Sequence, residues 1–563
     1  MKLYLNINFQ TKVGENLQVI ILDEGSENKV HALKYTDNGN WSAEVDFFSK
    51  SISYKYQLRN EEGSVLDEEF SLHHLNFPHN YDEFIIYDFW NAKNFPENYL
   101  NNKILKNKLR SFKAEKVTVL KKHTHLFRLE APIYNPDWQV VILGNCEALG
   151  NWQYLKTVPM TQTDFGIWEA ALELPQNQMI QYKYGLMNTV SKEVFDIEYG
   201  ENRWASPNAE KNILQIRADH FFKFKSFEMY HAAGVAVPVF ALRTENGFGV
   251  GEFPDLKNLA DWAAKTNLSI LQILPINDTT ANYTWTDSYP YAAISVYALH
   301  PQYLSIEKLE YPLQEELLQE FKREKNALND LSLIDYEQMI SAKWKYIKSI
   351  FETNKDQILK DRNFKKFLKE NEDWLIPYSA FCVLRDKYKT PNFNDWKTHK
   401  KYIAGKIAPF FSPKSKDFES SMLHAWVQYQ LHLQLKDAID YTHYLGISVK
   451  GDLPIGIYRY SVEAWTEPEL FGMDFQAGAP PDQFTDLGQN WEFPTYNWEA
   501  MKEDCYRWWK NRFKALEQYF DAMRIDHILG FFRIWRMPMS ATQGILGYLY
   551  AAVAVGLEEV EAR

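Results

Sequence analysis

Arg524 and Asp526 stand two residues apart in the apolar run "FDAMRIDHILGFFRIW", residues 520–535. A helical pattern, "CYRWWKNRFKALEQYF", leads into it, so Met523 to His527 is expected to be a strand entered from a helix. Side chains alternate across a strand, which sends Arg524 and Asp526 to one face and Ile525 to the other. A carboxylate beside a guanidinium stays ionised. Such a charge at the end of a buried strand is placed to act on a bound substrate, unless it merely caps a loop or pairs with a neighbour.

A second aspartate is placed in the same way. Asp452 in "KGDLPIG" also ends an expected strand, and (β/α) barrels build their active sites at that edge. Two carboxylates at equivalent strand ends, one with an arginine on its own face, favour a site over two separate caps. Between them runs "FQAGAPPDQFTDLGQNWEFPTYNW", rich in Gly, Pro and aromatic residues. A loop of that length at such an edge is typically a lid or a binding wall. "TTANYTWTDSYPYAAISVYALHP" is equally aromatic. Each loop alone could be a packed Ω-loop. Their shared location favours a carbohydrate groove. The histidines show no metal spacing, and neither a phosphate-cradling glycine loop nor a nucleophile elbow is present, so no cofactor is expected.

The elements that position these residues change character along the chain. Residues 1 to about 220 read as short alternating strands such as "KLYLNINF" and "NLQVIIL", broken by Gly, Asn and Asp turns. The pattern repeats: "GNWSAEVDF…SYKYQL" answers "GIWEAALEL…QYKYGL", which suggests tandem β-sandwiches over 1–100 and 115–222. "NAKNFPENYLNNKILKNKLRSFKAEK" reads as the polar linker between them. From about 230, helices lead into buried strands, the signature of a parallel sheet or (β/α) barrel. Residues 305–440 interrupt it as a charged helical insertion. Only four barrel strands are visible, the last some 40 residues from Arg563, whereas a closed barrel takes about 250 residues without insertions.

Composition sets the outer bounds. At 563 residues, 45% hydrophobic and 24% charged, the chain reads as a soluble multidomain protein. A net charge of −12 argues against nucleic acid as a partner. Aromatic residues reach 16%, which either a large core absorbs or sugar binding uses, since flat rings stack on the apolar faces of pyranoses. Three scattered cysteines imply no disulfide framework, and the sequence offers neither a leader nor a membrane-length apolar run. A cytoplasmic address follows as the expectation.

The motifs now resolve into a resemblance. "GDLPI", "PPDQFTDLGQNWEFPTYNW" and "FDAMRIDHILGFFRIWRMP" resemble the 4-α-glucanotransferases (amylomaltases) of glycoside hydrolase family 77, and "GVAVPVFALRTENGFGVGEFPDL" is similar to the start of that family's barrel. "VILGNCEALGNW", "QYKYG" and "GENR" resemble a family-20 starch-binding module. The fold implied is two β-sandwiches followed by an incomplete (β/α)8 barrel from 230 to 563. The resemblance implies Asp526 as the nucleophile of a retaining glucanotransferase, with a sugar 4-hydroxyl rather than water as acceptor. It implies Tyr291 as a ring platform, Asp452 as a sugar-hydroxyl acceptor and Trp491 as a lid residue, with Arg524, His527 and Asp482 also binding substrate. In the starch module it implies Trp152 as a stacking platform and Lys183 as a polar partner, while Ile197 stands where that pattern has tryptophan. The implied ligands are maltose, maltodextrins and starch- or glycogen-like glucans. Retention also needs an acid/base carboxyl, which the family draws from Glu-Asp-Leu-Gly and His-Asp segments; neither occurs here. The chain is therefore expected to be a fragment, inactive alone. An α-glucan hydrolase of the amylase clan and a non-catalytic glucan-binding protein remain as alternatives.

Overall fold

The computed structural model describes residues 1–22, 28–47, 49–69, 71–92, 114–131, 133, 135–207, 212–220, 222–226 and 232–550. Most of the expected linker lies outside the described residues. The chain divides into two compact units, Met1–His231 and Ala232–Arg563.

In the first unit the alternating strands fold as their pattern dictates. Leu3, Leu5 and Ile7 are buried along Lys2–Asn8, with Lys2, Tyr4 and Asn6 between them more exposed. The two repeats do not stay separate, however. Glu83–Asp88, the edge strand of the first, pairs in parallel with Ile213–Asp219, the edge strand of the second, with Phe84 opposite Leu214 and Ile86 opposite Ile216. The result is one eight-stranded sheet shared by both repeats. It carries a core on each face. Leu3, Phe84, Leu126 and Leu214 face the first repeat's core, while Phe127, Leu129 and Trp168 face the second's. Pairing the two edges satisfies backbone groups that separate sandwiches would leave open. Each repeat completes its sandwich with a five-stranded sheet of its own, around Ser51–Arg59 and Ile180–Asn188.

In the second unit four strands run parallel in the order Gly234–Val237, Ile270–Ile273, Ser448–Leu453 and Ala522–Ile525. Helices Asp255–Lys265, Phe418–Tyr444 and Arg507–Glu517 each return the chain to the next strand. Among the described residues the sheet is open, so the parallel half of the expectation is what the fold carries. The insertion between the second and third strands is helical, with Glu315–Asn329, Tyr336–Ile358, Arg362–Glu370 and Glu372–Tyr388 ahead of the long helix Phe418–Tyr444. Gly451 is required where it stands, because a Cβ there would lie 2.4 Å from the Phe520 ring. No described helix is long and apolar enough to cross a membrane.

Candidate active site

The parallel register of the last two strands sets Asp452 opposite Arg524. Arg524 uses its fork to hold two carboxylates. Its Nη1 donates to both Asp452 oxygens at 2.8 Å, and its Nη2 donates to Asp526 Oδ1 at 2.7 Å. The expected same-face placement of Arg524 and Asp526 is therefore observed. Asp526 follows the end of its strand, and its backbone N–H donates to the Leu453 carbonyl at 3.0 Å. That bond fixes the turn into His527, which adopts a left-handed backbone with φ of 46°.

Exposure separates the two aspartates. The Asp452 side chain is fully buried, whereas those of Arg524 and Asp526 are 40% and 28% exposed. Asp452 is also spoken for on its other side, since the Tyr291 hydroxyl donates to its Oδ2 at 2.8 Å. Burial and that carboxylate push the Tyr291 hydroxyl well above its ordinary value. Burial works against the Arg524 charge, but the Asp452 and Asp526 carboxylates outweigh it and push the guanidinium upward. Partial burial lowers His527. Asp526 is thus an accessible carboxylate held by a cation that a buried partner anchors.

The aromatic loops arrive at this edge. The Trp491 ring meets His527 edge-on at 4.9 Å and stacks on Phe493 at 5.5 Å. Tyr289 and Tyr291 lie 5.6 Å apart. Asp482 is not drawn in; it is exposed, and its carboxylate accepts the Phe484 and Thr485 N–H groups to form a turn. Trp152 and Lys183 belong to the N-terminal unit. Trp152 is half-buried at the end of the turn Glu147–Trp152, and Lys183 Nζ donates to the carbonyls of Glu198 and Gly200 at 3.0 and 2.7 Å.

One residue escaped the sequence reading. Glu463 is 3% exposed and accepts the Val296 N–H at 3.0 Å and the Ser295 hydroxyl at 3.1 Å, on the segment that follows Tyr291. Tyr458 and Val462 donate to Ala293 and Ile294 alongside it. Burial pushes the Glu463 carboxyl up to about 7. Its only sequence signal is an acidic residue in the first turn of a helix capped by Ser461, which surface helices share. Among the described residues no group of three His, Cys, Asp or Glu side chains is arranged to hold a metal.

The profile described as "Glyco_hydro_77: 4-alpha-glucanotransferase" matches residues 237–558, and that of the starch binding domain matches residues 126–216. The 4-alpha-glucanotransferase DPE2 of Oryza sativa subsp. japonica is 39% identical over 440 residues, 77% of this chain and 46% of that protein. A 4-alpha-glucanotransferase of Chlamydia muridarum is 34% identical over 306 residues, 54% of this chain and 56% of that protein. The chain therefore spans about half the length of these curated relatives. Among solved structures, the amylomaltase from Streptococcus agalactiae in complex with acarbose is 24% identical with a TM-score of 0.48, covering 57% of this chain and 64% of that one.

Proposed function

Because the chain belongs to glycoside hydrolase family 77, the 4-alpha-glucanotransferases, we propose that it carries the nucleophile half of a retaining α-glucan transfer site. The observation that supports this most directly is Arg524 bridging buried Asp452 and accessible Asp526 at one sheet edge. An Asp526 oxygen bonds to the anomeric carbon of an α-1,4-glucan as the C1–O bond breaks. The electron pair goes to the departing 4-oxygen, which takes a proton from an acid/base carboxyl about 5 Å from the nucleophile. The 4-hydroxyl of an acceptor glucan then attacks C1, gives its proton to that same carboxyl, and releases Asp526. Arg524 holds Asp526 in place between turnovers by a charge-assisted hydrogen bond. Tyr291 carries the ring face beneath the cleaved sugar, with His527 and Trp491 as further sugar contacts, while Asp452 anchors Arg524 and Tyr291 from below.

Asp452 is a poor acid/base, being buried and held by both Arg524 and Tyr291. With no Glu-Asp-Leu-Gly or His-Asp segment in these residues, the chain alone turns over slowly or not at all. General acid–base assistance is typically worth about 10²–10⁴-fold. In the N-terminal unit we place a glucan-binding module at 115–222, using Trp152 and Lys183, and a divergent copy at 1–100. Residues 230–563 then begin a (β/α)8 barrel with its helical insertion at 305–440. Cys146, Cys382 and Cys505 are free, in keeping with a reducing cytoplasm.

A donor that needs no protonation tests the nucleophile by itself. α-Maltosyl fluoride loses fluoride with the C1–F electron pair, so Asp526 should become maltosylated even without an acid/base group. Peptide mass spectrometry should find the adduct on Asp526 and none in Asp526→Asn. Labelling elsewhere, or unchanged labelling of the variant, overturns the assignment. Maltotriose separates transfer from hydrolysis in any active form: longer chains signify transfer, glucose and maltose alone hydrolysis.

A further inference from the structure

A cleft of about 620 Å³ opens where the central strands of the shared sheet end, between the two β-repeats. Its floor is set by register. Asn6 lies beside Tyr87, and Tyr87 beside Arg217, across three neighbouring parallel strands. The Arg217 guanidinium sits 4.7 Å from the centre of the Tyr87 ring. Asn8 and Asn40, themselves hydrogen-bonded at 2.8 Å, line the side given by the first repeat. The second repeat supplies the loop Glu198–Arg203 and Lys223. Phe89 and His220, which follow the two paired strands, stack face to face at 3.8 Å and tie the repeats together there. Neither Trp152 nor Lys183 lines this space.

The chemistry of the lining selects a neutral, hydroxyl-rich ligand. Glu198 and Asp219 pair with Arg203, and Asp88 with His73. Burial pushes His220 down to about 3, leaving it neutral. Arg217 and Lys223 then face one remaining acid, Glu201, which is too little charge for a polyanion. The Arg217 side chain is half-buried on the cleft floor, with its Nε sealed from solvent and without a hydrogen-bond partner among the described residues. Tyr199, 56% exposed, offers a ring face at the rim. The volume falls in the range of small-ligand sites, about 300–1,000 Å³.

We propose that this cleft is a second α-glucan site, formed jointly by the two β-repeats and separate from the one assigned to Trp152 and Lys183. Arg217 and Lys223 donate to sugar hydroxyls, Glu201 accepts from one, and Tyr199 stacks on a pyranose face. This rests on the starch-binding reading of the N-terminal unit. It gives the first repeat, the divergent copy, a share in binding.

The test is calorimetric titration of maltoheptaose into the full chain in a Trp152→Ala, Asp526→Asn background. Residual binding should weaken about three- to tenfold on Lys223→Ala or Asn8→Ala, the worth of one hydrogen bond, with the thermal melt unchanged. Both positions are partly or fully exposed, so neither substitution should prevent folding. Residual affinity indifferent to both variants overturns the cleft while leaving the Trp152 site standing. A background variant with no residual binding, beside a parent that binds, overturns it too. A parent chain that binds no maltoheptaose at all removes the starch-binding reading, and this proposal with it.

Discussion

Among the described residues one device recurs, a cation between two carboxylates with a tyrosine hydroxyl donating to one of them. Lys345 does this between Glu320 and Glu324, with Tyr346, on partly exposed helices, and three further instances bear closer comparison. In the first β-repeat His73 lies between Glu69 and Asp88, and Tyr54 and Tyr56 both donate to Asp88. In the second, Arg203 lies between Glu198 and Asp219, and Tyr182 and Tyr184 both donate to Asp219. At the sheet edge of the other unit Arg524 lies between Asp452 and Asp526, with Tyr291 on Asp452. The first two are sealed: all four carboxylate side chains there are at most 10% exposed. The third leaves Asp526 at 28% and Arg524 at 40%. The same residue types make a strut where water is excluded and, at this sheet edge beside the aromatic loops, a candidate site. Exposure alone does not decide it, since Glu320, Lys345 and Glu324 are also partly exposed, on helices. Composition alone does not distinguish them.

The largest effect should therefore divide by readout. Asp526→Asn is expected to abolish labelling by α-maltosyl fluoride while changing stability by less than about 1 kcal/mol, since a partly exposed ion pair contributes little. Arg203→Leu should do the reverse. Breaking a buried pair by removing one partner costs about 3–5 kcal/mol, here because Glu198 and Asp219 are left buried without their cation. Urea unfolding followed by tryptophan fluorescence measures both. Comparable losses of stability in the two variants would make Asp526 a third strut.

His73 against Arg203 sharpens the comparison within the β-repeats, because only the histidine can lose its charge. Burial works against the His73 charge, but Glu69 and Asp88 outweigh it and push the ring up to about 10. The folded value exceeds the unfolded one near 6.5, so the stabilisation is complete below pH 6.5 and is lost as pH rises through 10. His73→Gln should cost about 3 kcal/mol at neutral pH. The gap in melting temperature between parent and variant should close between pH 7 and pH 10. A gap that stays constant would mean that His73 is already neutral and the first repeat is held by packing alone.

How much of this was legible in the sequence follows from how far apart the partners lie. Arg524 and Asp526 could be joined in advance because a strand's period puts residues two apart on one face. The repeated "YKY" marked Tyr54–Tyr56 and Tyr182–Tyr184 as equivalent, but their acceptors Asp88 and Asp219 lie more than 30 residues away across a sandwich. Periodicity says which face of a strand is buried and is silent about which edges meet. For that reason the shared eight-stranded sheet, and the cleft it creates, were not foreseeable. Trp152, the stacking platform that the resemblance implies, is half-buried at the end of a turn in which Gly150, Asn151 and Trp152 take a left-handed backbone, and no periodicity announces that turn.

Glu463 supplies the smallest effect and the control for the device, a buried carboxylate that no cation bridges. Burial raises it from 4.5 to about 7, and the more distant Arg512 offsets only part of that. One oxygen serves Ser295 and Val296; the other, Oε2, is buried with no hydrogen-bond partner among the described residues. A folded value raised above the unfolded one means that the neutral acid is what the fold favours. The contribution is then complete below pH 4.5 and is lost as pH rises through 7. Glutamine keeps an acceptor oxygen and never ionises. Glu463→Gln should therefore be the less stable protein near pH 4.5 and gain on its parent by about 1–3 kcal/mol by pH 8. Thermal melts of the two across that range measure the crossing. A difference that does not move with pH would mean that Glu463 stays ionised, with Arg512 serving it as Arg524 serves Asp452, and the contrast between bridged and unbridged carboxylates would collapse.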